Sequence, residues 1–181
     1  MTTSAKNPLA LLKSPYHEAR LLALLILVAK YAFTNVKTEQ EAIYRSYLKH
    51  TIFINNWDLV DCSAEYIVGA HLFDKDRKPI YRLGRSRNLW ERRIGVLATF
   101  YFIKREDFSD TLTMAALLLH DQEDLIHKAV GWMLGEVGKR NRREEEGFLA
   151  QYYREMPCTM LRYAIEKLPE RERLAYLSEK K

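Results

Sequence analysis

Apolar residues recur along this chain at intervals of three and four, almost without interruption. That spacing marks amphipathic helices, each with one side turned toward a core. It predicts helical segments at about 16–33, 38–50, 55–72, 79–85, 88–104, 108–119, 123–138, 141–154, 157–167 and 170–178. Breakers fall between them. "TNVKT" separates the first two, and Thr38 followed by Glu41 reads as a capping box. "DKDRKP" closes the third segment. Ser109 and Asp121 are placed to cap later helices, and Pro157 and Pro169 stand near helix starts. Residues 1–14 carry no firm pattern and are expected to form a flexible N-terminal segment, which leaves residues 15–181 as a single domain.

Short helices with tight joints suggest repeated pairs. A basic residue followed by an apolar stripe occurs in "ARLLALL", "RRIGVLA", "HKAVGWML" and "LRYAIEKL". The markers Arg20, Arg93, Lys128 and Arg162 stand 73, 35 and 34 residues apart, and 73 is about twice the other two. The skipped slot falls on Trp57. A helix pair of this length buries its apolar face only by stacking on neighbours. The expected fold is therefore all-α, an α-solenoid of about five helix pairs, with an irregular helical bundle as the alternative.

Composition agrees. With 7 Gly and 5 Pro in 181 residues, the chain lacks the turns that a sandwich or barrel needs. The longest apolar run, Leu21 to Ala29, is nine residues and too short to cross a bilayer. Glu18 and Arg20 interrupt its approach and the helical pattern continues past it, which argues against a signal peptide. The two cysteines, Cys62 and Cys158, have no CxxC spacing, so no disulfide framework is implied and a cytoplasmic location is expected.

Charge changes the picture. Arg77 to Arg93 holds Arg77, Lys78, Arg82, Arg85, Arg87, Arg92 and Arg93 against Glu91 alone, a local charge of +6. The whole chain carries only +5. Six of the seven are arginines, the side chain that grips phosphate bidentately. Such a concentration suggests a polyanion, most simply nucleic acid; a solvated basic face is the plainer reading. The five histidines have no i,i+4 partner and no HExxH, and no P-loop, GxGxxG or GxSxG occurs. No metal and no cofactor is expected.

One stretch joins charge to aromatic surface. In "NNWDLVD", Trp57 and Asp61 are four residues apart, so on a helix an indole and a carboxylate share one face. Trp57, Trp90 and Trp132 fall in successive inferred pairs. If the first helices of the pairs line one concave surface, Trp57, Asp61, Arg93 and Trp132 converge on a groove. Singly, each tryptophan is better read as core, and Asp61 as a surface carboxylate or the partner of a neighbouring arginine.

"NNWDLVD", "LWERRIGVLAT", "HKAVGWMLGEVGKR" and "MPCTMLRYAIEKL", in this order, resemble the DNA alkylation repair enzymes of the AlkD-type DNA glycosylase family, built of HEAT-like repeats. The likeness covers roughly residues 15 to 170. It implies excision of N3- or N7-alkylated purines from double-stranded DNA by a monomer that needs no membrane. Carried over by motif, Asp61 is the catalytic carboxylate, Trp57 and Trp132 flank the damaged nucleotide, and Arg93 is the groove arginine. Arg92, Arg85 and Arg87 of the basic segment, with the markers Lys128 and Arg162, complete the candidate DNA-binding residues. Cys158 departs from the pattern, standing where a basic residue is expected, and the N-terminal part is shorter than in longer family members. The competing reading is a non-catalytic solenoid that binds DNA structures or a protein partner.

Overall fold

The helices form where the apolar stripes place them, and the differences lie at their ends and in two interior breaks. The structure, a computed structural model, describes residues 7–179. In chain order α1 spans Pro8–Leu12, α2 His17–Phe33, α3 Lys37–Lys49, α4 Trp57–Asp61, α5 Ala70–Leu72, α6 Lys78–Gly84, α7 Leu89–Ala98 and α8 Phe100–Ile103. They are followed by α9 Ser109–Leu117, α10 Asp124–Gly138, α11 Arg142–Tyr152, α12 Cys158–Ala164 and α13 Glu170–Glu179. A π-helical turn, Glu65–Gly69, leads into α5, and 3-10 turns occupy Thr51–Phe53 and Ile165–Lys167. No strand occurs among the described residues.

The marker helices stack in a row: α7 packs between α4 and α10, and α10 between α7 and α12. The alternate helices back this row, with α6 against α7, α9 against α7 and α10, and α11 against α10. This is the solenoid-like stack that the repeat spacing of the markers predicts. Its core is continuous, running from Leu24 and Leu27 through Leu59, Ile94 and Ile126 to Met160. Burial of each such side chain contributes about 2 kcal/mol.

Three expectations are revised. Of the N-terminal segment, residues 1–6 lie outside the described residues, but ordered structure begins before residue 15. Pro8 sits in the first turn of α1, Asn7 caps it by accepting from the Leu9 amide, and Leu12 is fully buried. The segment expected as one helix over 55–72 breaks after Asp61. The Ser63 hydroxyl donates to Leu59 O at 2.6 Å and bonds the Tyr47 hydroxyl at 2.8 Å, local competition that turns the chain before the π-helical turn. Likewise 88–104 is split at Thr99, whose hydroxyl donates to Val96 O. The expected caps also fail. Val36, not Thr38, precedes α3, and Glu41 pairs with Arg45 and His71 instead of closing a capping box. Ser109 is the first residue of α9, and Asp121 accepts from the Glu123 amide ahead of α10. The side chains that do cap are asparagines: Asn7, Asn56, Asn88 and Asn141.

Candidate active site

Asn56 takes the extended conformation of an N-cap and its side-chain oxygen accepts from the Trp57 amide, which starts α4 on the tryptophan itself. One turn later the helix ends at Asp61. Both side chains face a cleft of about 310 Å³ lined by Trp57, Asp61, Arg93, Leu125, Lys128, Trp132 and Tyr163. Four helices of the marker row, α4, α7, α10 and α12, each contribute to it. Residues 75 apart in sequence, Trp57 and Trp132, thus share one wall-to-wall space.

Asp61 is not a solitary carboxylate. Arg93 donates Nε to Oδ1 at 2.9 Å and Nη2 to Oδ2 at 2.8 Å, and its Nη1 donates to Leu125 O at 2.6 Å. The fork geometry fixes the plane of the carboxylate. Arg93 is 5 % exposed, whereas the Asp61 side chain keeps 19 % of its surface. A carboxylate offers about four lone-pair sites and Arg93 occupies two, so the others remain for a ligand or water. Arg93, the groove arginine inferred from sequence, lines the cleft and is paired there with Asp61.

Trp57 is 54 % exposed, so much of its indole surface stays open to solvent. Trp132 is half-buried, held edge-on by Phe100 at 5.6 Å and by Nε1 donating to Glu136 Oε1 at 3.3 Å. Burial alone would raise the Glu136 carboxyl, but hydrogen bonds from Lys139 and Arg140 outweigh it and hold it below the usual carboxylate range. Trp90 packs against the core and does not line the cleft.

Of the candidate cations, Lys128 lines the cleft. Its ammonium sits 2.8 Å from Asp124, which raises the lysine and, together with a Thr159 hydrogen bond, lowers the aspartate. Arg92 turns elsewhere. It pairs with Asp121 at 2.7 Å and donates to the carbonyls of Ser86 and Arg87, closing the loop before α7. Arg77, counted in the basic segment, is committed to Asp107 and Asp110. Arg85, Arg87 and Arg162 are exposed, have no ion-pair partner among the described residues, and stand outside the cleft. The charge of +6 read along the chain is therefore smaller in space, because three of its arginines neutralise carboxylates from other segments.

Leu125 and Tyr163 line the cleft without having been singled out from sequence. No spacing signal marks Tyr163; it reaches the site through the crossing of α12 on α10. Among the described residues no group of three His, Cys, Asp or Glu could hold a metal ion, and no helix is long and apolar enough to cross a membrane. The family model described as DNA alkylation repair enzyme matches residues 5–168. No curated protein and no solved structure gives a significant match.

Proposed function

Because the chain belongs to the DNA alkylation repair enzyme family, with a role in the repair of alkylated DNA, we propose that it is a DNA glycosylase acting on N3- or N7-alkylated purines in double-stranded DNA. The observation that carries this reading is the placement of Asp61: a carboxylate with unfilled acceptor sites, fixed by Arg93, in a cleft flanked by Trp57 and Trp132. Alkylation at N3 or N7 makes the purine cationic, so it leaves as a neutral base without prior protonation. The C1′–N9 bond breaks and its electron pair goes to the base. Positive charge develops on the sugar, where Asp61 stabilises it electrostatically. A water held by the remaining Asp61 acceptor sites adds its oxygen to C1′, and its proton passes to the carboxylate or to solvent. The indoles supply faces for an electron-poor sugar or base. The cleft is open rather than enclosing, and the chemistry asks only that the sugar carbon reach Asp61.

The test is single-turnover release of 7-methylguanine from methylated duplex DNA, with spontaneous depurination subtracted. Release that requires the protein and disappears in Asp61→Asn supports the reading. The Asp61–Arg93 pair also favours a second one, in which Asp61 only braces α4 against α7 and the protein binds DNA or a protein partner without catalysis. No release above the control would leave that alternative.

A further inference from the structure

Tyr163 is the aromatic residue of the cleft that no motif announces. It is 40 % exposed, and its hydroxyl makes no hydrogen bond among the described residues. Its place depends on two glycines. A Cβ on Gly131 would lie 2.3 Å from Met160 O and 2.6 Å from the Tyr163 Cβ; one on Gly135 would lie 3.0 Å from Ala164 O. Two glycines one turn apart let α10 and α12 meet backbone to backbone. That contact brings the Tyr163 ring beside Trp132. The two rings also border a second hollow of about 170 Å³ lined by Glu136, Lys139, Glu166 and Lys167. An uncommitted phenol ring therefore stands at the far edge of the cleft from Trp57.

We propose that Tyr163 is a third aromatic wall of the substrate cleft and that its ring, rather than its hydroxyl, favours a cationic purine over a neutral one. The inference rests on the glycosylase reading and extends it to specificity. An aromatic face attracts a cation through its quadrupole, and rings on several sides of one space add their attractions. The ammonium that lines the cleft with the ring, Lys128, is paired with Asp124 at 2.8 Å, so it opposes a positively charged base only weakly. A neutral purine gains packing from the same ring but not the charge term.

The experiment measures affinity for two duplexes of one sequence, one carrying a single 7-methylguanine and one carrying guanine, at fixed salt. Tyr163→Leu should lower the preference for the methylated duplex by about two- to fivefold, the range for a half-exposed cation–π contact. Its affinity for the unmethylated duplex should fall by less than that for the methylated one, and its melting temperature should stay at the wild-type value. Tyr163→Phe should keep the preference. Equal weakening on both duplexes, an unchanged preference in Tyr163→Leu, or a loss in Tyr163→Phe as large as in Tyr163→Leu overturns the proposal. A wild type that binds both duplexes equally overturns it as well. A wild type that discriminates but releases no base overturns the glycosylase reading alone.

Discussion

At the scale of the residue, the decisive feature is that one carboxylate has two duties. Asp61 neutralises a buried arginine and faces the cleft. Removing one partner of such a pair leaves the other charge uncompensated, at about 3–5 kcal/mol when both are buried; with Asp61 partly exposed, about 2–3 kcal/mol is expected. Asp61→Asn should therefore lower the melting temperature and also slow base release by about a hundredfold or more. Pairing it with Arg93→Met separates the duties. The double variant should recover much of the stability and none of the rate. Recovery of rate together with stability would make Asp61 a brace. Half of this was legible in the sequence. The i,i+4 placement of Trp57 and Asp61 is a local property that any helix satisfies. The partner of Asp61 lies 32 residues away and depends on how α7 packs on α4, which spacing alone does not encode.

A second residue acts through pH. Glu145 in α11 is 2 % exposed, and its Oε1 has no hydrogen-bond partner. Burial pushes its carboxyl up to about 7, with Glu146 adding to the rise and Arg142 opposing it. The folded state thus holds a proton that the unfolded state releases near its ordinary value of 4.5. Stability from this group is present below about pH 4.5 and is lost as pH rises toward 7. The loss should amount to about 3 kcal/mol at most. Glu145→Gln should melt higher than wild type at pH 8 and nearly equal to it at pH 5. Parallel curves at both pH values would show that Glu145 is neutral or charged throughout.

At the scale of the element, the chain's period specified which segments are helices, and the interruptions came from elsewhere. Ser63 and Thr99 break expected helices by hydrogen-bonding back to carbonyls three or four residues earlier, a competition that hydrophobic spacing does not register. The caps were missed for a similar reason. Thr38 has the right identity, but the cap position falls two residues earlier, at Val36. The α10–α12 crossing is a further property of elements rather than residues. Gly131→Ala inserts a methyl group where the Met160 carbonyl already stands, so α12 must move away. A cost of about 1–3 kcal/mol is expected. Base release should fall with it, because α12 carries Tyr163. Thermal melting beside single-turnover release checks this; a variant as stable as wild type would mean that the crossing yields without strain.

At the scale of the whole molecule, electrostatics separates cations by whether a carboxylate already holds them. The sequence placed the net charge between Arg77 and Arg93, and a polyanion partner followed from counting. The fold reduces that count by pairing Arg77, Arg92 and Arg93 across segments. It leaves Arg85, Arg87 and Arg162 exposed and unpaired among the described residues. Like Arg82 of the basic segment, those three can release counterions from DNA without first breaking an ion pair. Each phosphate contact adds about 0.9 to the slope of log affinity against log salt. Arg85→Ala, Arg87→Ala and Arg162→Ala should each make the slope shallower by roughly that amount and leave the melting temperature unchanged. Arg92→Ala should do the reverse. Its loss strands Asp121, whose side chain is 7 % exposed, and opens the loop before α7, so stability should fall while the slope stays nearly constant. Affinity titrations between 50 and 200 mM salt, beside thermal melting of the same proteins, distinguish the two classes. A slope lowered by Arg92→Ala but unmoved by the three exposed arginines would mean that DNA draws Arg92 away from Asp121 and that the exposed arginines make no phosphate contact.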